Sequence, residues 1–180
     1  MYAENTKTEI RFTNEAAANE AKAIVAKTLN SMDCDFSFNN AVSHAVESLH
    51  VDGSTLMIPQ GGAWFLAEEL VDVFPLIVKA IATQLPHEDF SFEVAGYDDY
   101  AEGWIDGCYA DGNLEINSTF YPMGYCEYVS CPECGEDVVR LDEYIPGKLY
   151  PCPECGEIVD LTEQYEEIAP VIKKEQFKIF

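Results

Sequence analysis

The sequence predicts an α+β protein: an antiparallel sheet with two helices on one face, followed by a small cysteine-rich module near the C-terminal end. Three observations predict it. Segments of helical and strand period alternate through the first two thirds of the chain. Asp111-Gly112 sits between two apolar-alternating runs, as the turn of a two-residue β-hairpin does. Cys131-Pro132-Glu133-Cys134-Gly135 recurs as Cys152-Pro153-Glu154-Cys155-Gly156.

Taken in order, Glu9 to Phe12 reads as a short strand, and Thr13 or Asn14 is placed to cap the helix that follows. Ala17, Ala21, Ile24, Val25, Thr28 and Leu29 share one face of that helix, which ends near Asn30. Residues 31–40 read as a loop and 41–48 as a short helix. Leu49 to Ile58 reads as a strand pair turning at Asp52-Gly53. Ala63 to Leu85 is the longest helical candidate, offering Trp64, Leu70, Phe74, Ile77, Val78 and Ile81 to a core. Pro75 must kink that helix or begin a second one. After Pro86 the period changes, and Phe90, Phe92 and Val94 alternate with Ser91, Glu93 and Ala95 as in a half-buried strand. Trp104 to Ala110 and Leu114 to Phe120 then flank Asp111-Gly112. Beyond Leu161, Glu163 to Ile168 is helical and acidic, and the run after Pro170 adds a strand or packs back.

Strands interleaved with two helices and finishing in a meander have the element order of a ferredoxin-like core with an added hairpin, a likeness that names no function. The expected division is an α+β domain over residues 1–122, the cysteine module over 123–162 and a C-terminal tail over 163–180.

The two cysteine runs are spaced C-x2-C-x17-C-x2-C, within the window of a four-thiolate zinc site. Pro after the first ligand fixes φ, Gly after the second tolerates positive φ, and such a turn aims backbone N–H groups at the sulfurs. From about Tyr125 to Leu161 the chain resembles the zinc-ribbon family, in which two such knuckles at hairpin tips share one zinc. The resemblance implies Cys131, Cys134, Cys152 and Cys155 as ligands of a structural Zn²⁺. A rubredoxin-like iron site is the alternative on donor softness. Neither pair opens a helix in a βαβ setting, which disfavours a redox role or disulfides. Four thiolates leave no open position for water or substrate, against a zinc hydrolase or deaminase. None of His44, His50 and His87 stands in the deaminase triplet.

Charge is the second informative feature. Ten Lys and Arg face 33 Asp and Glu, a formal net charge of −23. Around the knuckles only Arg140 and Lys148 oppose Glu127, Glu133, Glu136, Asp137, Asp142, Glu143, Glu154, Glu157 and Asp160. Affinity for phosphate needs clustered bases, so direct nucleic-acid binding is not expected. Lys79 and Arg140 bracket a stretch with no Lys or Arg, in which Asp98, Asp99, Glu102, Asp106 and Asp111 are the candidate partner-binding residues. Such a block makes a one-signed field, which reads either as a solvated face or as an imitation of a phosphate row that fits a basic protein partner. As a Ca²⁺ or Mg²⁺ chelate, Asp98, Asp99 and Glu102 lack the spacing of the calcium loop.

No phosphate-binding loop, nucleophile elbow or His-Glu-x-x-His is present. Gln60-Gly61-Gly62 is a turn or a weak anion site, and Cys34 and Cys108 read as small buried side chains. The N-terminus lacks the basic and apolar regions of a secretory signal, no apolar run spans a membrane, and the free thiols fit a reducing, cytoplasmic setting. The expectation is therefore a non-enzymatic, zinc-binding interaction protein that inhibits a basic nucleic-acid-binding partner by mimicry. In charge and size it is similar to small acidic inhibitors of phages and mobile elements, including anti-CRISPR proteins. The alternative is an enzyme or enzyme subunit with a carboxylate site in the α+β domain.

Overall fold

The computed structural model describes residues 3–31, 46–57, 67–98, 102–123 and 125–179. Cys34, His44, the Gln60-Gly61-Gly62 turn and Asp99 lie outside the described residues.

Strand β1 (Ala3–Phe12) extends well upstream of the tetrapeptide that alternation marks. It leads into α1 (Glu15–Asn30), whose first turn is capped by Asn14, its Oδ1 accepting from the Ala17 N–H at 2.9 Å. Residues 46–48 are helical and precede β2 (His50–Asp52) and β3 (Thr55–Met57). Asp52 pairs with Thr55, so the turn is Gly53-Ser54, one residue beyond the expected dipeptide, with Gly53 at φ 57°. Helix α2 (Ala67–Gln84) runs through Pro75 as a single element rather than breaking in two.

Strands β4 (Phe90–Asp98), β5 (Glu102–Ala110) and β6 (Asn113–Tyr121) follow as a meander. Ala110 pairs with Asn113 around Asp111-Gly112, whose φ values of 51° and 78° are those of a type I′ turn. Four short strands come next: β7 (Tyr128–Ser130), β8 (Asp137–Arg140), β9 (Leu149–Pro151) and β10 (Ile158–Asp160). Helix α3 (Thr162–Ile168) and strand β11 (Val171–Lys178) complete the order.

The main sheet has seven strands in the order β11-β6-β5-β4-β1-β3-β2, every neighbouring pair antiparallel. β1 and β2 flank β3, and β3 and β4 flank β1, so two crossovers interleave as in a ferredoxin-like split βαβ core. The β5–β6 hairpin extends this core beyond β4, and β11 pairs with β6 from Asn113 to Phe120. The tail is thus the outer strand of the sheet, with Phe177 under the Lys79 ammonium of α2 at 3.7 Å from the ring centroid.

Both helices cover one face. Ala17, Ala21, Val25 and Leu29 of α1 and Phe74, Ile77, Val78 and Ile81 of α2 bury against Ile10, Phe92, Val94, Ile105, Leu114 and Ile116. Each large side chain buried there contributes about 1.5 to 3 kcal/mol. Tyr109, 1% exposed, keeps its hydroxyl satisfied by donating to the Pro86 carbonyl at 3.0 Å. Among the described residues, no helix is long and apolar enough to cross a membrane.

At Gly107 a Cβ would lie 2.0 Å from the backbone oxygen of Glu115 and 2.5 Å from the Phe92 ring. The missing side chain lets Phe92 pack onto bare backbone between two paired strands. Gly107→Ala is expected to destabilise the protein by about 3 kcal/mol through overpacking. Urea unfolding read by circular dichroism checks this, and an unchanged midpoint would contradict it.

Candidate metal centre and acidic sheet face

The cysteine module consists of two β-hairpins, β7–β8 and β9–β10, each a separate two-stranded sheet. A knuckle forms each tip. In the first, the Cys131 N–H donates to the Glu136 carbonyl at 2.8 Å and the Gly135 N–H to the Cys131 carbonyl at 2.9 Å. In the second, the Cys152 N–H donates to Glu157 at 2.8 Å and the Gly156 N–H to Cys152 at 3.1 Å. Repeated sequence thus gives repeated hydrogen bonds. Gly135 and Gly156 take φ of 79° and 76°, with open space where a Cβ would sit, so the glycines serve conformation rather than packing.

The knuckles face each other. The four sulfurs of Cys131, Cys134, Cys152 and Cys155 lie within 4.8 Å of one another. Cys131 Sγ is 3.9 Å from Cys155 Sγ, and Cys134 Sγ is 3.6 Å from Cys152 Sγ. A tetrahedron with metal–sulfur bonds of about 2.3 Å has edges of about 3.8 Å, so the donors already stand at ligand spacing. The separations also exceed a disulfide bond by far. Cys131 and Cys152, each 2% exposed, belong to the module's core, while Cys134 and Cys155 are exposed at the tips.

Backbone dipoles converge on the sulfurs. The Cys152 thiol is lowered to about 7, first by the Cys155 N–H and also by that of Glu154. A backbone bond from Glu136 lowers Cys134, but desolvation and the thiols of Cys152, Cys131 and Cys155 push it up to about 12. Binding a cation among the four sulfurs would release the protons that they hold. The donor set, all thiol and four in number, can hold a soft metal ion in a closed tetrahedral site.

The module has little else to hold it. Its buried side chains are Val129, Cys131, Tyr150, Cys152, Val159 and Leu161, two of them ligand candidates. Tyr144 stacks on Tyr165 of α3 at 4.1 Å between ring centroids, and Tyr150 Oη accepts from the Ile145 N–H at 2.7 Å. Asp160 receives the Thr162 hydroxyl at 2.6 Å and its N–H at 3.0 Å, which hold its carboxyl below the usual range.

The acids occupy the sheet face opposite the helices. Along β5 the buried residues alternate with Glu102, Trp104, Asp106 and Cys108 on that other face. Register then places Glu9 of β1 opposite Glu93 of β4, and Glu93 opposite Asp106 of β5, three carboxylates abreast on adjacent strands. Arg11 bonds Glu9, Asn117 Nδ2 donates to Asp106 at 3.0 Å, and Gln176 Nε2 donates to Glu115 at 3.0 Å.

Of the partner-binding candidates, Asp106 is exposed at the middle of this face, Glu102 is half-buried at one end of β5, and Asp111 is exposed on the turn beyond the other end. Asp98 ends β4 beside that first end, and Asp99 lies outside the described residues. Alternation along one strand does not reveal Glu9 as their neighbour, because it arrives through long-range pairing of β1 with β4. Cys108, expected inside, is exposed on the acidic face, since its position in β5 is out of phase with Tyr109.

No family model matches the chain, and comparison with curated proteins and with solved structures found no match to either.

One tetrahedrally bound metal ion per chain is expected by elemental analysis, and Cys131→Ser or Cys152→Ser should each abolish it. Protons compete for the thiolates, so affinity for the metal should fall as pH is lowered from 8 to about 6. Chelation should expose the amides of Val129, Tyr150 and Val159 to hydrogen exchange while those of Ile105 and Ile116 stay protected.

Proposed function

We propose that the chain is a non-enzymatic docking protein in which a structural Zn²⁺ fixes a zinc-ribbon module and the open sheet face receives a basic, nucleic-acid-binding protein. The single observation that carries this is the row Glu9, Glu93 and Asp106. Like charges directly opposite one another on a sheet destabilise it, and adjacent strands stand only about 4.8 Å apart. Solubility needs acids anywhere on the surface, not abreast on one face. Arg11 bonds Glu9 within this row, and a cationic ligand would add positive charge beside Glu93 and Asp106.

In this reading the carboxylates stand in for the phosphates that the partner normally binds, and its Arg and Lys pair with them through charge-assisted hydrogen bonds. The acids of the row line an open hollow of about 300 Å³ together with Arg11, Cys108 and Asn117, a shape that a partner's basic side chain can enter. The zinc acts at a distance, through the fold: with four thiolates as ligands it has no position to offer a substrate.

Affinity capture from the native cells, followed by mass spectrometry, should yield a basic nucleic-acid-binding protein that is released at about 1 M salt, where charges are screened within about 3 Å. Asp106→Asn keeps the acceptor for Asn117 yet removes one charge from the row. It is expected to raise stability by a few tenths of a kcal/mol at low salt and to weaken capture. Capture that survives reversal of Asp98, Asp99, Glu102 and Asp106 to Lys, or that is indifferent to salt, would sink the proposal.

A further inference from the structure

Where the sheet meets the cysteine module, the acidic face runs into an aromatic cleft. Trp104 and Tyr121, on the open face of β5 and β6, have ring centroids 5.2 Å apart. Tyr121 then meets Tyr125 edge-on at 79° and 5.5 Å. Across from them stand Tyr144 and Tyr165, stacked on each other. The space between is about 350 Å³, with Glu127 and Asp142 among its walls.

We propose that this cleft binds the cationic head of a Lys or Arg side chain presented by a partner protein. Two rings set nearly at right angles form a corner in which a cation meets a π face on one side and a second ring beside it, as in an aromatic cage.

The charge of the rim fits the same ligand. Arg140 bonds Glu127 at 2.7 Å and Asp142 at 3.1 Å, so one guanidinium answers two carboxylates and a negative charge is left over. Glu102, the register partner of Tyr121, stands beside the opposite wall. Arg140 also demonstrates the chemistry, because the chain's own guanidinium is already held between those two carboxylates. A tyrosine pair that only filled a core would be buried, but Tyr125 is 58% exposed.

An apolar small molecule would suit the rings but gain nothing from the carboxylates. That the side chain comes from a basic protein rests on the docking reading above; the capacity of the cleft for a cation does not.

Tetramethylammonium is the probe, since it carries the charge without hydrogen-bond donors, and tert-butanol is its neutral counterpart of similar shape. In NMR titrations of the full chain, tetramethylammonium should shift the ring signals of Tyr121, Tyr125, Tyr144 and Tyr165 saturably, and tert-butanol should not. Tyr125→Ala, at an exposed position, should weaken the probe about tenfold, and Glu127→Gln about threefold. Equal binding of tert-butanol, absence of saturation, or an undiminished affinity in Tyr125→Ala would overturn the proposal. Capture of a basic partner is read separately through Asp106, so saturable cation binding without any captured partner would refute docking and leave the cleft standing.

Discussion

One-sided burial of the main sheet governs the rest of the molecule. Because α1 and α2 both lie on the same face, each strand must send alternate residues inward, and whatever stands between them is committed to the other face. Along β4 the inward set is Phe90, Phe92 and Val94, and along β5 it is Ile105, Gly107 and Tyr109. Ser91, Glu93, Asp106 and Cys108 are then outward by necessity. A slip of one residue in any pairing would bury Glu93 or Asp106 and expose Phe92 or Ile105, so the hydrophobic core fixes the position of the carboxylates. The strand positions of the acidic row are therefore set by the core beneath it, whichever rotamers its side chains take.

The same sheet also closes the cysteine module. Phe120 of β6 pairs with Val171 of β11, so about fifty residues leave the sheet and return to it at neighbouring positions. Closing a flexible loop of that length costs on the order of 3 to 4 kcal/mol in entropy. A folded module with its ends held together relieves much of that cost. A metal bound at the knuckles would thereby also favour pairing of β11 at the sheet edge, although the two buried clusters share no residue. The coupling also explains why Tyr121 and Pro170 line one cleft: they are the two ends of the excursion.

Local chemistry was legible in the sequence. The doubled Cys-Pro-Glu-Cys-Gly determined both knuckles, Asp111-Gly112 its type I′ turn, and Phe90, Phe92 and Val94 the inward face of β4. Each signal acts within a few residues. What escaped depends on pairing between distant segments: Glu9 joins Glu93 only because β1 lies beside β4, and of the two outcomes open to the run after Pro170, strand or packing back, the open edge of β6 decides for the strand. The turn at Gly53-Ser54 moved by one residue because register, set by Leu56 under the sheet, overrode the dipeptide preference. Tyr144 and Tyr165 form a cleft wall by contacts no periodicity encodes.

A metal held by Cys131, Cys134, Cys152 and Cys155 would have a closed sphere of four sulfurs. X-ray absorption at the metal edge of the purified protein measures this directly. Four sulfur neighbours at about 2.3 Å and no lighter atom in the inner sphere is the predicted result. An oxygen or nitrogen ligand in place of one sulfur would mean an open or mixed site, and would contradict a purely structural role for the metal.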